Sequence, residues 1–138
     1  MRRAAADLLT LGFAGMAAFQ VALAAGAPLG HAAWGGTHAH LTSGQRTGSA
    51  ISVVFYLAAI AIVRRRAAGS TGPLYRQGTW VLVAIMAIAA VANIASGSSW
   101  ENFLLAPIAV VLFVLCAVVA STAPRREVAH TATPAASS

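Results

Sequence analysis

The sequence predicts an all-helical integral membrane protein, a bundle of four spans with both termini in the cytoplasm. Three observations lead there. The chain has 138 residues, of which 59% are hydrophobic and 9% charged, and its mean hydropathy is +0.76. A soluble domain carries about a quarter charged residues, so a soluble enzyme, a nucleic-acid binder and a disordered chain are all disfavoured. Four long apolar runs approach the ~20 residues that a spanning helix needs. Finally, all nine basic residues are Arg, and eight of them fall on one side of the membrane once four spans are drawn, as the positive-inside rule requires. The net charge of +6 is then a topology signal and implies no nucleic acid.

The first run, 7–27, has the length of a span. Arg2 and Arg3 precede it and small residues close it, which also fits a signal peptide. It exceeds the ~7–15 apolar residues of a signal core, and its removal would leave an odd number of spans, so a retained helix is expected. The second run, 48–63, is short, and Arg64, Arg65 and Arg66 extend it by snorkelling. The third, 79–95, is marginal, and the fourth, 102–121, is long enough. Arg2, Arg3, Arg64, Arg65, Arg66, Arg76, Arg125 and Arg126 then share one side, with Arg46 alone on the other. Together these runs make one transmembrane domain, 1–121, in the cell membrane. Residues 122–138, rich in Ala, Thr, Ser and Pro, read as a flexible tail. Trp34, Trp80 and Trp100 stand at span ends or in loops, as interfacial aromatics do.

Polar groups inside lipid are costly and point to function. Gln20 lies about 10 Å below the outer end of the first span, and Tyr56 at a similar depth in the second. Asn93 is near the outer end of the third span and Glu101 opens the fourth. Helical spacing puts Phe13, Met16 and Gln20 on one face, and likewise Ser49, Ser52 and Tyr56, Met86, Ala90 and Asn93, and Glu101, Ile108 and Leu112. Inward-turned, these faces give an apolar interior with a polar cap at the outer end. Gln20 and Asn93 serve equally well as interhelical hydrogen-bonding groups.

Glu101 is one of three acids in the chain. Two readings stay open: a helix-terminus acid favoured by the dipole, or a partly desolvated carboxylic acid able to donate a proton. The loop 28–47 holds His31, His38 and His40 and the turn Trp34-Gly35-Gly36, which is expected to fold the loop back over the bundle. His-x-His in a loop matches no fixed zinc spacing, so no metal is assigned. Pro107 is expected to kink the fourth span one turn below Glu101. The single Cys116 excludes an internal disulfide.

Phe19-Gln20 through Gly26, Pro28, Trp34-Gly35-Gly36, Asn93, Trp100-Glu101 and Pro107 resemble the pattern of small four-helix membrane proteins of actinobacteria. The architecture also resembles that of bacterial membrane-bound terpene cyclases acting on prenylated indoles and indole diketopiperazines. That resemblance implies proton-initiated cyclisation of a lipophilic farnesyl-type substrate, with no cofactor. Glu101 would be the catalytic acid. Phe19, Gln20, Trp34, Tyr56, Asn93, Trp100 and Phe103 would line the substrate, the aromatic faces meeting cationic intermediates. No Asp-rich motif for magnesium diphosphate is present, so ionisation of a prenyl diphosphate is not expected. The alternative is a non-enzymatic accessory protein or transporter subunit, alone or as an oligomer, whose polar groups serve helix packing. A His-loop metal-handling protein is the third reading. A small multidrug exporter would place a carboxylate deep in the first span, where this chain has Gln20.

Overall fold

A computed structural model of the protein describes residues 1–122. Four helices long and apolar enough to cross a membrane make up most of that range. Helix α1 spans Arg2–Ala24, α2 Ser43–Ala67, α3 Pro73–Ile94 and α4 Ala106–Ser121. A single 3₁₀ turn, Gly30–Ala32, lies in the loop between α1 and α2, and a π-helical turn, Glu101–Leu105, leads into α4. No strand occurs among the described residues. The tail expected at 122–138 falls outside them from residue 123 onward.

The helix ends follow local chemistry more than hydropathy. Helix α2 begins five residues before its apolar run because Thr42 and Gln45 form a capping box. The Thr42 Oγ1 accepts from the Gln45 amide at 3.3 Å, and the Gln45 Oε1 accepts from the Thr42 amide at 3.0 Å. Two otherwise orphaned donors are thereby satisfied. With the Arg64–Arg66 turn included, α2 reaches 25 residues, so the short run is the middle of a full-length span. Helix α3 opens on Pro73, which lacks the amide hydrogen that the first turn would leave unbonded.

α1 packs chiefly on α2 and α3 chiefly on α4, as two antiparallel hairpins joined along the α1–α4 and α2–α3 seams. Leu9 and Phe13 of α1, Val63 of α2, Met86 of α3 and Leu112, Cys116 and Val119 of α4 form the buried centre. In a bilayer, where lipid is as apolar as these side chains, close packing and not exclusion from water would hold the helices together. Small residues make the approach possible. A Cβ on Gly12 would stand 2.6 Å from the Leu112 Cδ2, and Ala6, Ala59 and Ala109 are likewise buried. The stripes read from the sequence do turn inward, since Phe13, Ser49, Met86, Ala90, Glu101 and Leu112 are all buried.

Arg2, Arg3, Arg64, Arg65, Arg66 and Arg76 gather at the end of the bundle where α1 and α3 begin and α2 ends. Arg46 lies at the opposite end, where its Nε donates to the Ala24 carbonyl at 2.9 Å.

Candidate functional site

The polar cap is built where the loop after α1 meets the turn before α4. Trp34, Gly35 and Gly36 all take positive φ, at 55°, 81° and 68°. Three such residues in sequence reverse the chain sharply. Glycine enters this region freely, whereas a bulky residue such as Trp34 does so at a cost on the order of 1–3 kcal/mol. Two contacts hold Trp34 there. Its indole Nε1–H donates to the buried Ser49 Oγ at 3.2 Å. Its ring also lies over Gly48, where a Cβ would stand 2.6 Å from the Trp34 Cη2.

The reversed loop presents its backbone to Glu101, which is 8% exposed. The Gly35 amide donates to Glu101 Oε1 at 3.0 Å, and the Ser96 hydroxyl donates to Glu101 Oε2. The Ser96 Oγ in turn accepts from the Ser98 amide at 3.1 Å. The Ser98 hydroxyl donates to the His31 carbonyl at 2.8 Å, a second tie between loop and turn. The Asn102 Nδ2 donates to the Ser96 carbonyl at 2.9 Å, and the His31 Nδ1 lies 3.0 Å from the Gly36 carbonyl. Gly36 fits against Ser98 so closely that a Cβ would approach its Cβ and Oγ to 2.8 Å.

The π turn sets the height of Glu101. Pro107 has no amide hydrogen and its ring crowds the carbonyl four residues back. The helix widens there, and the Ala106 amide bonds to the Glu101 carbonyl five residues away. The distortion expected at Pro107 therefore takes the form of a π bulge on its N-terminal side, of the kind often found at functional sites.

The other expected site residues scatter. Trp34 belongs to the Glu101 cluster through Gly35. Tyr56 packs lower down, its ring 5.9 Å from Phe13 and 5.3 Å from Phe55. Phe19 is half-buried on α1. Trp100 and Phe103 are 59% and 84% exposed and face outward from the bundle. Gln20 and Asn93 make no side-chain hydrogen bond to Glu101, and the Gln20 Oε1 is buried without a protein partner among the described residues. The interhelical bond expected of Gln20 through that oxygen does not form.

Among the described residues no three His, Cys, Asp or Glu side chains come close enough to share a metal ion. His31, His38, His40 and Glu101 thus do not assemble as ligands. Gly35, expected as part of the turn, and Ser49, expected on an inward face of α2, join the cluster, whereas Ser96, Ser98 and Asn102 complete it and were not expected from the sequence. Their only advance signal is the run Ser96-Gly97-Ser98-Ser99, small donors immediately ahead of the one acid at that end.

Both side-chain oxygens of Glu101 are thus engaged, Oε1 by the Gly35 amide and Oε2 by the Ser96 hydroxyl. This arrangement fastens a loop. Compared with known proteins, the chain matches no family model, no curated protein and no solved structure.

Proposed function

We propose that the chain is a multi-pass protein of the cell membrane that acts by association, as an accessory subunit of a larger membrane assembly, and carries out no chemistry of its own. Its arginine-bearing end would face the cytoplasm, and the cap of residues 28–42 would face outward. One observation carries this reading: both carboxylate oxygens of Glu101 are occupied by donors from the loop and the α3–α4 turn. The polar groups that suggested a reaction centre are then the fastening of a rigid outer surface. The fully buried Leu9, Phe13, Leu23 and Val63 fit the same reading, because the helices meet over packed side chains.

A second reading is membrane-bound cyclisation of a prenylated indole. It is favoured by the burial of Glu101 in a very apolar chain, the setting in which an acid can be kept protonated. An apolar groove of about 330 Å³ between α1 and α4, walled by Leu8, Pro107, Ile108 and Leu115, would be the place for a polyene.

The two readings separate on turnover. Membranes containing the wild-type protein or Glu101→Gln are incubated with farnesylated indoles and indole diketopiperazines, and extracts are analysed by mass spectrometry. The accessory reading expects no cyclised product from either. A product formed by wild type and lost in Glu101→Gln would overturn it in favour of the cyclase.

A further inference from the structure

At the end of the bundle remote from Glu101, the first two turns of α1 and the last turn of α2 enclose a recess of about 410 Å³. It is lined by Arg3, Ala6, Asp7, Arg64, Arg65, Ala67 and Ala68. Three arginines and one carboxylate, that of Asp7, therefore line it. That carboxylate is already committed, since the Asp7 Oδ1 accepts from the Arg64 Nη1 at 2.7 Å. Arg3 and Arg65 border the recess without any hydrogen bond to an acid among the described residues.

One further arginine lies beside it. The Arg2 Nη2 donates to the Ala67 carbonyl at 3.0 Å, which fixes its guanidinium beside the end of α2. The Arg2 Nη1 is buried with no protein partner among the described residues. A buried N–H donor on a charged group is costly when left unpaired. The start of α1 adds amide donors, because no side chain caps it and its first turn holds no acid.

We propose that this recess binds the phosphate of an anionic membrane lipid. A planar guanidinium suits a phosphate, which it can engage with two parallel hydrogen bonds. The position favours a lipid over a free phosphate. Arg3, Asp7 and Leu11 follow one another at four-residue spacing on α1, and Arg65, Ala61 and Leu57 do so on α2. Leu11 and Leu57 are 70% and 56% exposed. Apolar helix faces thus run on from the basic recess toward the bilayer centre, where acyl chains lie. The inference rests on insertion in a bilayer and is independent of whether the chain catalyses.

The test is native mass spectrometry of the full-length protein released from micelles. The probes are phosphatidylglycerol, phosphatidylcholine with the same acyl chains, and soluble glycerol 1-phosphate. Wild type is expected to retain phosphatidylglycerol in preference to phosphatidylcholine. Arg3→Gln/Arg65→Gln should weaken that retention about tenfold or more, Arg3→Lys/Arg65→Lys should weaken it less, and Arg76→Gln on α3 should leave it unchanged. Equal losses from Arg76→Gln and the double Gln variant would overturn the proposal, because they would mark a diffuse charge effect. Equal retention of the two lipids, or tighter binding of glycerol 1-phosphate than of phosphatidylglycerol, would overturn it as well. Size-exclusion elution matching wild type establishes that the variants are folded.

Discussion

The Gly35 amide and the Glu101 carboxylate, 66 residues apart in sequence, meet at 3.0 Å and join the loop after α1 to the turn before α4. A hydrogen bond to a charged acceptor contributes more than one between neutral groups. Here it is made by a main-chain donor that no substitution at position 35 removes except proline. Glu101→Ala should therefore release the loop and lower stability by about 2–3 kcal/mol. Glu101→Gln keeps an acceptor for Gly35 and should cost less. Thermal unfolding in one detergent, followed by circular dichroism, gives the ranking.

Gly36 takes a φ of 68° and abuts Ser98. Gly36→Ala meets both the left-handed backbone and the 2.8 Å approach, so a loss of about 1–3 kcal/mol is expected. Gly15→Ala places its methyl where nothing lies within 4 Å, and it exchanges a flexible residue for the best helix former. It should be neutral or stabilising by up to about 1 kcal/mol. Opposite signs for two chemically identical substitutions would confirm that the cap, and not glycine content in general, is under constraint.

Trp34→Phe retains an aromatic ring over Gly48 but deletes the indole donor. The Ser49 hydroxyl, fully buried, then loses the N–H that it accepts. A cost of about 1–3 kcal/mol follows. Ser49→Ala in the same background removes the stranded hydroxyl and should restore part of the loss, giving a positive coupling in a double-mutant cycle.

The distribution of arginines predicts sidedness. Single cysteines at Ser70 and Ser99, in a Cys116→Ala background, test it with a membrane-impermeant thiol reagent on intact cells. Ser99→Cys, beside the cap, should label directly. Ser70→Cys should label only after permeabilisation. The reverse pattern would invert the topology.

The four long helices were legible because sustained apolar runs of near-spanning length mark them, a signal that needs no knowledge of any particular neighbour. Even the inward faces of Phe13, Met86 and Leu112 followed from periodicity. The ends of α2 were less legible, because the Thr42–Gln45 capping box extends a helix into polar sequence where no hydrophobic signal exists. The cap was legible in part. Trp34-Gly35-Gly36 announced a turn, and Glu101 stood out as a lone acid. The pairing of Glu101 with Gly35 did not show, because its donor is a backbone amide, a group that every residue except proline carries. Gln20 and Asn93 drew attention as polar groups in apolar runs, yet hydrophobicity alone does not reveal which neighbour a polar side chain meets. Ser96 and Ser98 looked like ordinary turn residues until the chain brought them under the loop.

Glu101 is the post to which the loop after α1 is fastened. Hydrogen–deuterium exchange of the loop peptide spanning residues 30–41, compared between wild type and Glu101→Ala in the same detergent, addresses that most directly. Slow exchange is expected at the Gly35 amide and its neighbours in the wild type, and a large loss of protection in the variant with the α2 and α3 helices unaffected. Loop exchange that is equally slow in both proteins would contradict it.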